Sequence, residues 1–177
     1  MAFTVLKSLF TGQNLNQSFP SRIPGTAKGW DTSSRNREVI IDPALAAGTE
    51  ILPSLPLKLL TSATGMKEVC TLCTAGTDTV YGYVIYKAKN IVNTGQYNRI
   101  ATVARDGQEM DFAFKKAITP GATVYMDPSD GLCTPDANDG ATAPVAYLKV
   151  GLALEAVVGP SASAPVMGRV EVQTPRV

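Results

Sequence analysis

The chain contains no histidine, and this absence removes several kinds of chemistry at once. Histidine is the usual general base, the partner of serine and cysteine nucleophiles, and a common metal ligand. The sequence also lacks a Gly-rich phosphate loop of the Walker or dinucleotide type, and it has no HExxH or GxSxG segment. We therefore expect no enzymatic activity and no cofactor.

Strong charge of either sign is missing as well. Sixteen Lys and Arg face fifteen Asp and Glu, so the net charge of +1 supplies no field that would attract nucleic acid or anionic lipid. No run approaches the roughly 20 apolar residues that cross a bilayer. The opening MAFTVLKSLF lacks the continuous apolar region of a secretory signal. We expect no nucleic acid or membrane partner, and no export.

Cysteine is scarce, with three residues at positions 70, 73 and 133. An odd number argues against a disulfide framework and is typical of a reducing compartment. The CTLC segment at 70–73 resembles half of a metal site, but it lies in a predicted strand, where residues three apart point to opposite faces. Without histidine, a four-ligand zinc site would need carboxylates or a second chain. We predict no metal site, and buried thiols that act as small hydrophobic groups.

The residues that are present indicate an all-β fold. Short segments rich in β-branched and aromatic residues recur between Gly, Pro, Asp and Asn, as in a sandwich or barrel. The predicted strands lie in segments 37–48, 49–61, 67–76, 79–87, 98–107, 108–116, 122–127, 145–158 and 168–173. The sequence therefore predicts a compact β-sandwich or β-barrel at 39–177, preceded by an extended, mostly irregular N-terminal arm at 1–38.

Two segments allow more detailed predictions. Asp106-Gly107 is a strong hairpin signal, and after it Met110, Phe112 and Phe114 alternate with smaller or polar residues, which predicts one buried and one solvated face. In TVYGYVIYK (79–87) apolar residues lie on both faces, so we expect a central or interface strand covered on both sides, with Gly82 at a close backbone approach or a bulge. A weak internal echo also relates DPALAAGTEILPSL to KKAITPGATVYMDPS; we interpret it as one turn type used twice, not as a repeat.

The N-terminal segment 1–38 is rich in Gly, Pro, Ser, Asn and Thr, and it carries five cations against two anions. Isolated apolar residues cannot build a core there, so the segment is suited to lie along a partner surface; a loop packed on its own domain is the alternative. The candidate partner-binding residues are Phe19, Arg22, Ile23, Trp30, Arg35 and Arg37.

The acidic segment from Asp127 to Asp139 raises the question of calcium binding. DANDG at 136–140 lacks one spacer residue of the EF-hand pattern, and no Glu follows at the far end of the loop. In DPSDG and PDANDG, Pro fixes φ, Asp and Asn can bond their own backbone, and Gly permits φ > 0. We predict that these segments reverse the chain and bind no metal.

The C-terminal half resembles the small capsid decoration, or structural cement, proteins of tailed bacteriophages. In that family a G-x-x-V-Y-x-D strand, a V/I-G-x-A-L-E-A strand and a final V-x-V strand follow one another at similar spacing. The matching segments here are Gly121 to Asp127, Val150 to Ala156 and Arg169 to Val172. The resemblance covers about 60 residues, roughly a third of the chain.

The resemblance implies a virion structural protein that binds the outer capsid surface at capsomer junctions and stabilises the shell. Its partner would be the major capsid protein, it would form a homo-oligomer with a trimer favoured, and it would be assembled on virions in the host cytoplasm. Phe19, Ile23 and Trp30 would then be apolar anchors, and Arg22, Arg35 and Arg37 would pair with capsid carboxylates.

Two other function classes remain open from sequence. A head fibre or host-surface adhesin would need a receptor site, which Trp30 with Tyr81, Tyr83 and Tyr86 could supply. A small hydrolase would need paired carboxylates, for which Asp127 and Asp130 are the candidates.

Overall fold

The computed structural model describes residues 27–28, 36–45, 51–60, 68–85 and 100–175. Within these residues every regular secondary-structure element is a β-strand, which confirms the all-β prediction. Each of the nine predicted segments contains a strand, and the two strands that the sequence did not indicate, β1 and β9, are two residues long. The strands are β1 (Ala27–Lys28), β2 (Asn36–Ile41), β3 (Pro56–Leu59), β4 (Val69–Leu72), β5 (Gly82–Val84), β6 (Ile100–Ala104), β7 (Glu109–Phe114), β8 (Thr123–Met126), β9 (Cys133–Thr134), β10 (Leu148–Ala153) and β11 (Val166–Val172).

Strands β2 to β6 form a closed ring, which we call the N barrel. The order around the ring is β2-β4-β3-β5-β6, and β6 pairs with β2 again. β2 and β4 are parallel, and all other neighbours are antiparallel. The interior holds mainly aliphatic side chains: Val39, Ile41, Ile51, Leu57, Cys70, Tyr81, Val84, Ala101 and Val103.

Strands β7 to β11 form a second ring, which we call the C barrel. Its order is β7-β11-β10-β8-β9, and it closes because β9 also pairs with β7, at Phe114 and Cys133. The two-residue strand β1 pairs with the other end of the same edge of β7. The sequence predicted a barrel or sandwich, and the described residues form two barrels.

The two rings have the same topology. When the strands of each ring are numbered along the chain, the order around both rings is first, third, second, fourth, fifth. In both, the first and third strands are parallel and the other neighbours are antiparallel. The chain therefore contains two copies of one five-stranded unit, with β2 to β6 equivalent to β7 to β11.

The hydrogen-bond register is also the same in both barrels. At the parallel pair, the Asp42 N–H donates to the Cys70 carbonyl at 2.8 Å in the N barrel. In the C barrel the Lys115 N–H donates to the Cys133 carbonyl at 2.9 Å. Cys70 and Cys133 therefore occupy equivalent positions, and both are buried.

Gly82 in β5 and Gly151 in β10 are equivalent as well, since each lies opposite the second strand of its ring. A Cβ at Gly82 would lie 2.8 Å from the backbone oxygen of Ala104, and one at Gly151 would lie 1.8 Å from that of Glu171. Both oxygens belong to the fifth strand of their ring. The predicted close approach at Gly82 is thus confirmed, and the same requirement explains Gly151.

Equivalent turns at 52–55 and 119–122, which we call the Pro turns, lead into the second strand of each barrel. In each turn the last N–H donates to the first carbonyl, at 3.3 and 3.2 Å respectively. The second residue is proline, and the third has a positive φ, 67° at Ser54 and 79° at Gly121. These are features of a type II turn, whose third residue is normally glycine.

This equivalence gives the alignment of the internal echo. The structure places ILPS (51–54) of the first segment on ITPG (118–121) of the second. Because Ser54 stands where the second turn has Gly121, the two turns are hard to recognise as equivalent from the sequence. The interpretation as one turn type used twice is correct for the turn, but the turn belongs to a duplicated barrel.

The predicted hairpin between β6 and β7 is wrong. A turn does form at 105–108, and Gly107 has φ 77°. However, β6 pairs with β2 and β5, whereas β7 pairs with β1, β9 and β11. The Gly107 N–H donates to the carbonyl of Val172 at 2.8 Å, which directs the chain into the C barrel. The turn therefore connects the two barrels.

The predicted solvated face of β7 is also wrong, because both faces of this strand are buried. Ala113 packs against Leu55 of the N barrel. Asp111 is 1% exposed, and its Oδ1 accepts a hydrogen bond from Arg169 Nε at 3.4 Å. A strand that lies between two barrels has no face left for solvent.

The barrels share part of their core. The ring of Tyr83, from the N barrel, meets the Phe112 ring edge-on, with centroids 5.4 Å apart. Its hydroxyl donates to the Lys149 carbonyl at 3.0 Å. Residues 80–85 are all buried, which confirms that both faces of this segment are covered.

Candidate functional site

Of the predicted partner-binding residues, the structure places one. Arg37 lies exposed on β2, where it is paired with Val103 of β6. Five lie outside the described residues: Phe19, Arg22, Ile23, Trp30 and Arg35. Their predicted role as a contact surface stays a prediction.

The described parts of the predicted arm are tied to the barrels. Ala27–Lys28 pairs with β7, and Asn36–Glu38 is the first half of β2. Residues 36–38 therefore belong to the N barrel, although the sequence assigned them to the arm.

The acidic turn at 127–131 is organised around Lys115. The ammonium group lies 2.6 Å from Asp127 Oδ2 and 2.9 Å from Asp130 Oδ2. The other oxygen of Asp127 accepts from the N–H and hydroxyl of Ser129, at 2.8 and 2.6 Å. The other oxygen of Asp130 accepts from the Leu132 N–H at 2.8 Å. Both carboxylates are thus occupied by a lysine and by turn donors.

These contacts shift the pKa values of the cluster. Burial alone would raise the pKa of Asp127, but hydrogen bonds from Lys115 and Ser129 outweigh it and hold the pKa below its usual value. Burial alone would lower the pKa of Lys115, but its two carboxylate partners outweigh it and raise the pKa. A general acid needs a raised carboxyl pKa, so Asp127 has the opposite character to the proton donor of a paired-carboxylate hydrolase.

The second acidic turn is built in the same way. Asp136 accepts from Lys116 Nζ at 2.6 Å and from Thr134 Oγ1 at 2.8 Å. Asn138 and Asp139 each accept a backbone N–H two residues ahead. The interpretation of both segments as chain-reversing turns is confirmed by these bonds.

The cysteines of CTLC diverge as the strand alternation predicted. Cys70 lies in the N-barrel core, whereas Cys73 lies in the shared core. Burial raises the pKa of each thiol to about 12. Within the described residues, no group of three or more His, Cys, Asp or Glu side chains is placed to hold a metal ion.

Two of the tyrosines that could have formed a receptor surface are buried. Tyr83 is fully enclosed between the barrels, and Tyr81 lies in the N-barrel core, with its hydroxyl donating to Glu68. The guanidinium of Arg105 stacks over the Tyr81 ring at 4.3 Å from the centroid. These rings are therefore closed to a sugar or receptor; Tyr86 and Trp30 lie outside the described residues.

Exposed apolar side chains were missed from sequence. The segment 145–158 was predicted as one strand, but β10 ends at Ala153. Leu154 beyond it is 40% exposed and Val158 is 81% exposed, while Val145 before the strand is 55% exposed. The Gly-Pro pair after Val158 and the Pro before Val145 are turn signals that could have shortened the predicted strand.

No protein-family model matches the chain, and no curated protein matches it in sequence. Among the described residues, no helix has the length and apolar character required to traverse a lipid bilayer.

Proposed function

We propose that the protein is a virion structural protein that binds the outer surface of a phage capsid at junctions between capsomers and stabilises the shell. The partner is the major capsid protein, and the protein acts by adhesion without chemical turnover. This assigns it to the capsid surface of the virion, after assembly in the host cytoplasm.

The observation that carries the proposal is the position of the three segments that resemble decoration proteins. They are the Pro turn with β8, β10 with the residues after it, and the second half of β11. β10 pairs with β8 on one side and with β11 on the other, so the three segments form one continuous sheet. The resemblance therefore covers one folded substructure and not scattered matches.

The charged cluster around Lys115 holds the acidic turn of the C barrel in place. Lys115, Asp127 and Asp130 bond to one another and to turn donors, so they act in holding the loops. A rigid body that bridges neighbouring subunits stabilises a shell because it must be released before the subunits separate.

The direct test is co-sedimentation of the full chain with phage heads assembled from the major capsid protein of the same phage. We expect saturable binding at a fixed number of copies per head, and a higher temperature of head disruption. Heads that neither bind the protein nor change in stability would contradict the proposal.

The contact surface is tested by substitution. Truncation at residue 38 is unsuitable because Asn36–Glu38 is part of β2. Removal of residues 1–26 together with Trp30→Ala and Arg37→Ala keeps the described barrels, and we expect it to reduce head binding at least tenfold. Lys149→Ala, at an exposed position on β10, is the control. Full head occupancy by the multiple variant would show that the arm is not the contact.

A further inference from the structure

The loop that joins β10 to β11 exposes apolar side chains at both of its ends. It runs from Val158 to Val166, and we call it the valine loop. Val158 is 81% exposed and Val166 is 37% exposed, and Leu154, directly after β10, is 40% exposed. Three of the four exposed large hydrophobic side chains among the described residues thus lie on this one connection. Apolar side chains that are exposed as a group, unlike single ones, mark a surface for contact with another molecule.

The two ends of the valine loop are held close together by the barrel beneath them. Val157 is buried in the core, and its N–H and carbonyl are bonded to Ile118 at 3.0 and 3.1 Å. A Cβ added at Gly168 would lie 2.4 Å from Cγ2 of Val157, so the chain before the loop lies against the chain after it. Since Val157 points into the core, its neighbour Val158 points away from it. Val158 and Val166 are each within two residues of this contact, so they lie near each other at the base of the loop.

The tip of the valine loop has a fixed shape. The Ser161 N–H donates to the Ala164 carbonyl at 3.1 Å, and the Ala164 N–H donates to the Ser161 hydroxyl oxygen at 3.0 Å. Pro160 and Pro165 restrict φ on either side of the tip. A loop that is already ordered loses little conformational entropy on binding. Because the four tip residues have only Ser and Ala side chains, the loop is thin enough to enter a narrow crevice.

The valine loop and its flanks carry no charge. The thirteen residues from 156 to 168 include no Asp, Glu, Lys or Arg. The charged residues on either side are engaged within the protein. Glu155 Oε1 accepts from the Arg169 N–H at 2.9 Å, and Arg169 Nε donates to Asp111 Oδ1 at 3.4 Å. The surface that the loop presents is therefore uncharged.

The segment that pairs with Val157 extends this uncharged surface. Ala117 and Thr119, on either side of Ile118, are both exposed. The charge of the preceding Lys116 is balanced locally by Asp136, whose Oδ2 lies 2.6 Å from Lys116 Nζ. A partner that covers the valine loop therefore meets no unpaired charge from this segment.

We propose that the valine loop enters a narrow, apolar crevice in the major capsid protein. This inference rests on the proposed function, and it names the part of the described structure that makes the contact. The crevice is lined by uncharged side chains, because a charge that faces the loop would lose its water without gaining a partner. The valine loop acts in addition to the N-terminal arm.

Other classes of ligand need groups that the valine loop lacks. Phosphate groups of nucleic acid are bound largely by Lys and Arg, and aromatic rings provide the flat surfaces that sugar rings contact. Residues 156–168 contain no basic and no aromatic side chain. An apolar crevice in a protein is the partner that uses what the loop has: exposed valines on a rigid, thin support.

The loop before β10 offers a matched comparison. Val145 is 55% exposed there, and like Val166 it follows an Ala-Pro pair. This loop contains Asp136 and Asp139, and the Val145 N–H donates to Asp139 Oδ1 at 3.1 Å. It lies before the start of β10, whereas the valine loop follows the end of that strand. A charge at Val145 therefore tests whether any exposed loop of the C barrel has the same effect.

The test is co-sedimentation of the full chain with phage heads over a range of protein concentrations. Val158→Asp places a charge at the base of the valine loop, and Ala162→Asp places one at its tip. We expect each to raise the dissociation constant for heads at least about tenfold, since burial of an unpaired charge opposes docking. Val158→Thr keeps the side-chain shape without adding a charge, so it should weaken binding less. Val145→Asp is the control and should bind heads as the wild type does.

Thermal unfolding of all four variants should match that of the wild type, because the substituted residues are exposed. Head binding that Val158→Asp and Ala162→Asp leave unchanged would overturn this inference and leave the proposed function standing. An equal loss in Val145→Asp would also overturn it. Failure of the wild type to bind heads would overturn both proposals. Sedimentation with phosphatidylcholine vesicles tests a lipid surface as the occupant: vesicle binding that Val158→Asp abolishes would overturn the protein crevice.

Discussion

The N barrel and the C barrel share one topology and one register, but they fill their interiors differently. Val39 on β2 is equivalent to Phe112 on β7, and both side chains are fully buried. The C-barrel core holds phenylalanines and methionines, whereas the N-barrel core is mainly aliphatic with one tyrosine. The larger core also takes in Tyr83 of its neighbour. The comparison teaches that the strand order fixes which positions point into a barrel but not the size of the side chains there, and that the larger side chains lie in the C-barrel core.

The largest expected effect is at Phe112. Phe112→Ala should lower the free energy of unfolding by about 3–5 kcal/mol, because it leaves a cavity in the shared core. The equivalent Val39→Ala removes fewer atoms and should cost about 2 kcal/mol. Urea denaturation gives both values. Hydrogen exchange should also show faster exchange in β5 and β6 for Phe112→Ala, since Tyr83 loses its partner. An equal loss of unfolding free energy in Phe112→Ala and Val39→Ala would contradict the greater contribution assigned to the larger side chain.

The two equivalent glycines sharpen the same comparison. Gly151→Ala places a Cβ 1.8 Å from a backbone oxygen, whereas Gly82→Ala places it at 2.8 Å. Both substitutions should destabilise by about 1–3 kcal/mol, with Gly151→Ala the more severe, because strand separation is the only relief. Thermal unfolding of the pair measures the order. A smaller effect at Gly151 would contradict the closer approach of the Glu171 backbone oxygen at that position.

In the N barrel, Asp42 and Leu60 stand at the positions of Lys115 and Asp127, so the pair of Lys115 with Asp127 is not repeated at these positions. Lys115→Met should destabilise by about 1–3 kcal/mol at pH 7, because it leaves partly buried carboxylates without their cation. Lys116→Met is the control: its pair with Asp136 has side chains 61% and 43% exposed, so we expect at most about 1 kcal/mol.

The pH dependence of Lys115→Met follows from the pKa shifts. The folded pKa of Asp127 is depressed, so its contribution is present above the unfolded value of about 3.9 and is lost as pH falls through the folded value. The pKa of Lys115 is raised, so its contribution is present below about 10.4 and is lost as pH rises through the folded value. Wild-type stability should fall at both extremes, and urea titrations of the variant should show a flatter profile. An unchanged pH dependence of the unfolding free energy would show that the charges of Lys115 and its carboxylate partners do not contribute to stability.

The smallest effect, of opposite sign, is expected at the Pro turns. Ser54→Gly should stabilise by up to about 1 kcal/mol, because it relieves a positive φ and removes a buried hydroxyl that has no hydrogen-bond partner. The reverse change, Gly121→Ser, should destabilise by about 1 kcal/mol through backbone strain, since nothing crowds that position. Thermal melts of both variants check the signs. Destabilisation by Ser54→Gly would indicate that the hydroxyl has a role beyond the turn.

Strand positions and turn chemistry could be read from the sequence because they depend on neighbouring residues. The pairing of the strands could not, because partners lie far apart in the chain. Asp106-Gly107 shows the limit: the turn signal was correct, but a bond to Val172, more than sixty residues away, decides that the flanking strands separate. The duplication was hidden for a related reason, because Ser54 stands where the second copy has glycine.

The candidate site also has features that could be predicted from neighbouring residues and features that could not. The acidic turns were correctly interpreted because Asp, Pro and Gly act on their own backbone. The partial exposure of Ile40 carries no local signal, since apolar residues in strands are expected to be buried. It became recognisable only when the register of the N barrel was compared with that of the C barrel, where the equivalent Ala113 is 1% exposed. Of the predicted contact residues, Arg37 alone falls within the described residues.

The closure of the C barrel has a practical consequence for handling the protein. The pairing of β7 with β9 closes the ring, and we call it the seam. It consists of one register pair, Phe114 with Cys133, and of the hydrogen bond from the Lys115 N–H to the Cys133 carbonyl. While the seam is shut, β7 to β11 form a closed ring, and closure limits the main-chain edges that could template the pairing of another chain. When it opens, it exposes the backbone amides of the seam and the Cys133 thiol, which is buried in the folded protein. Aggregation during storage should therefore begin at this seam, and exposure of Cys133 to a thiol reagent would give the earliest warning.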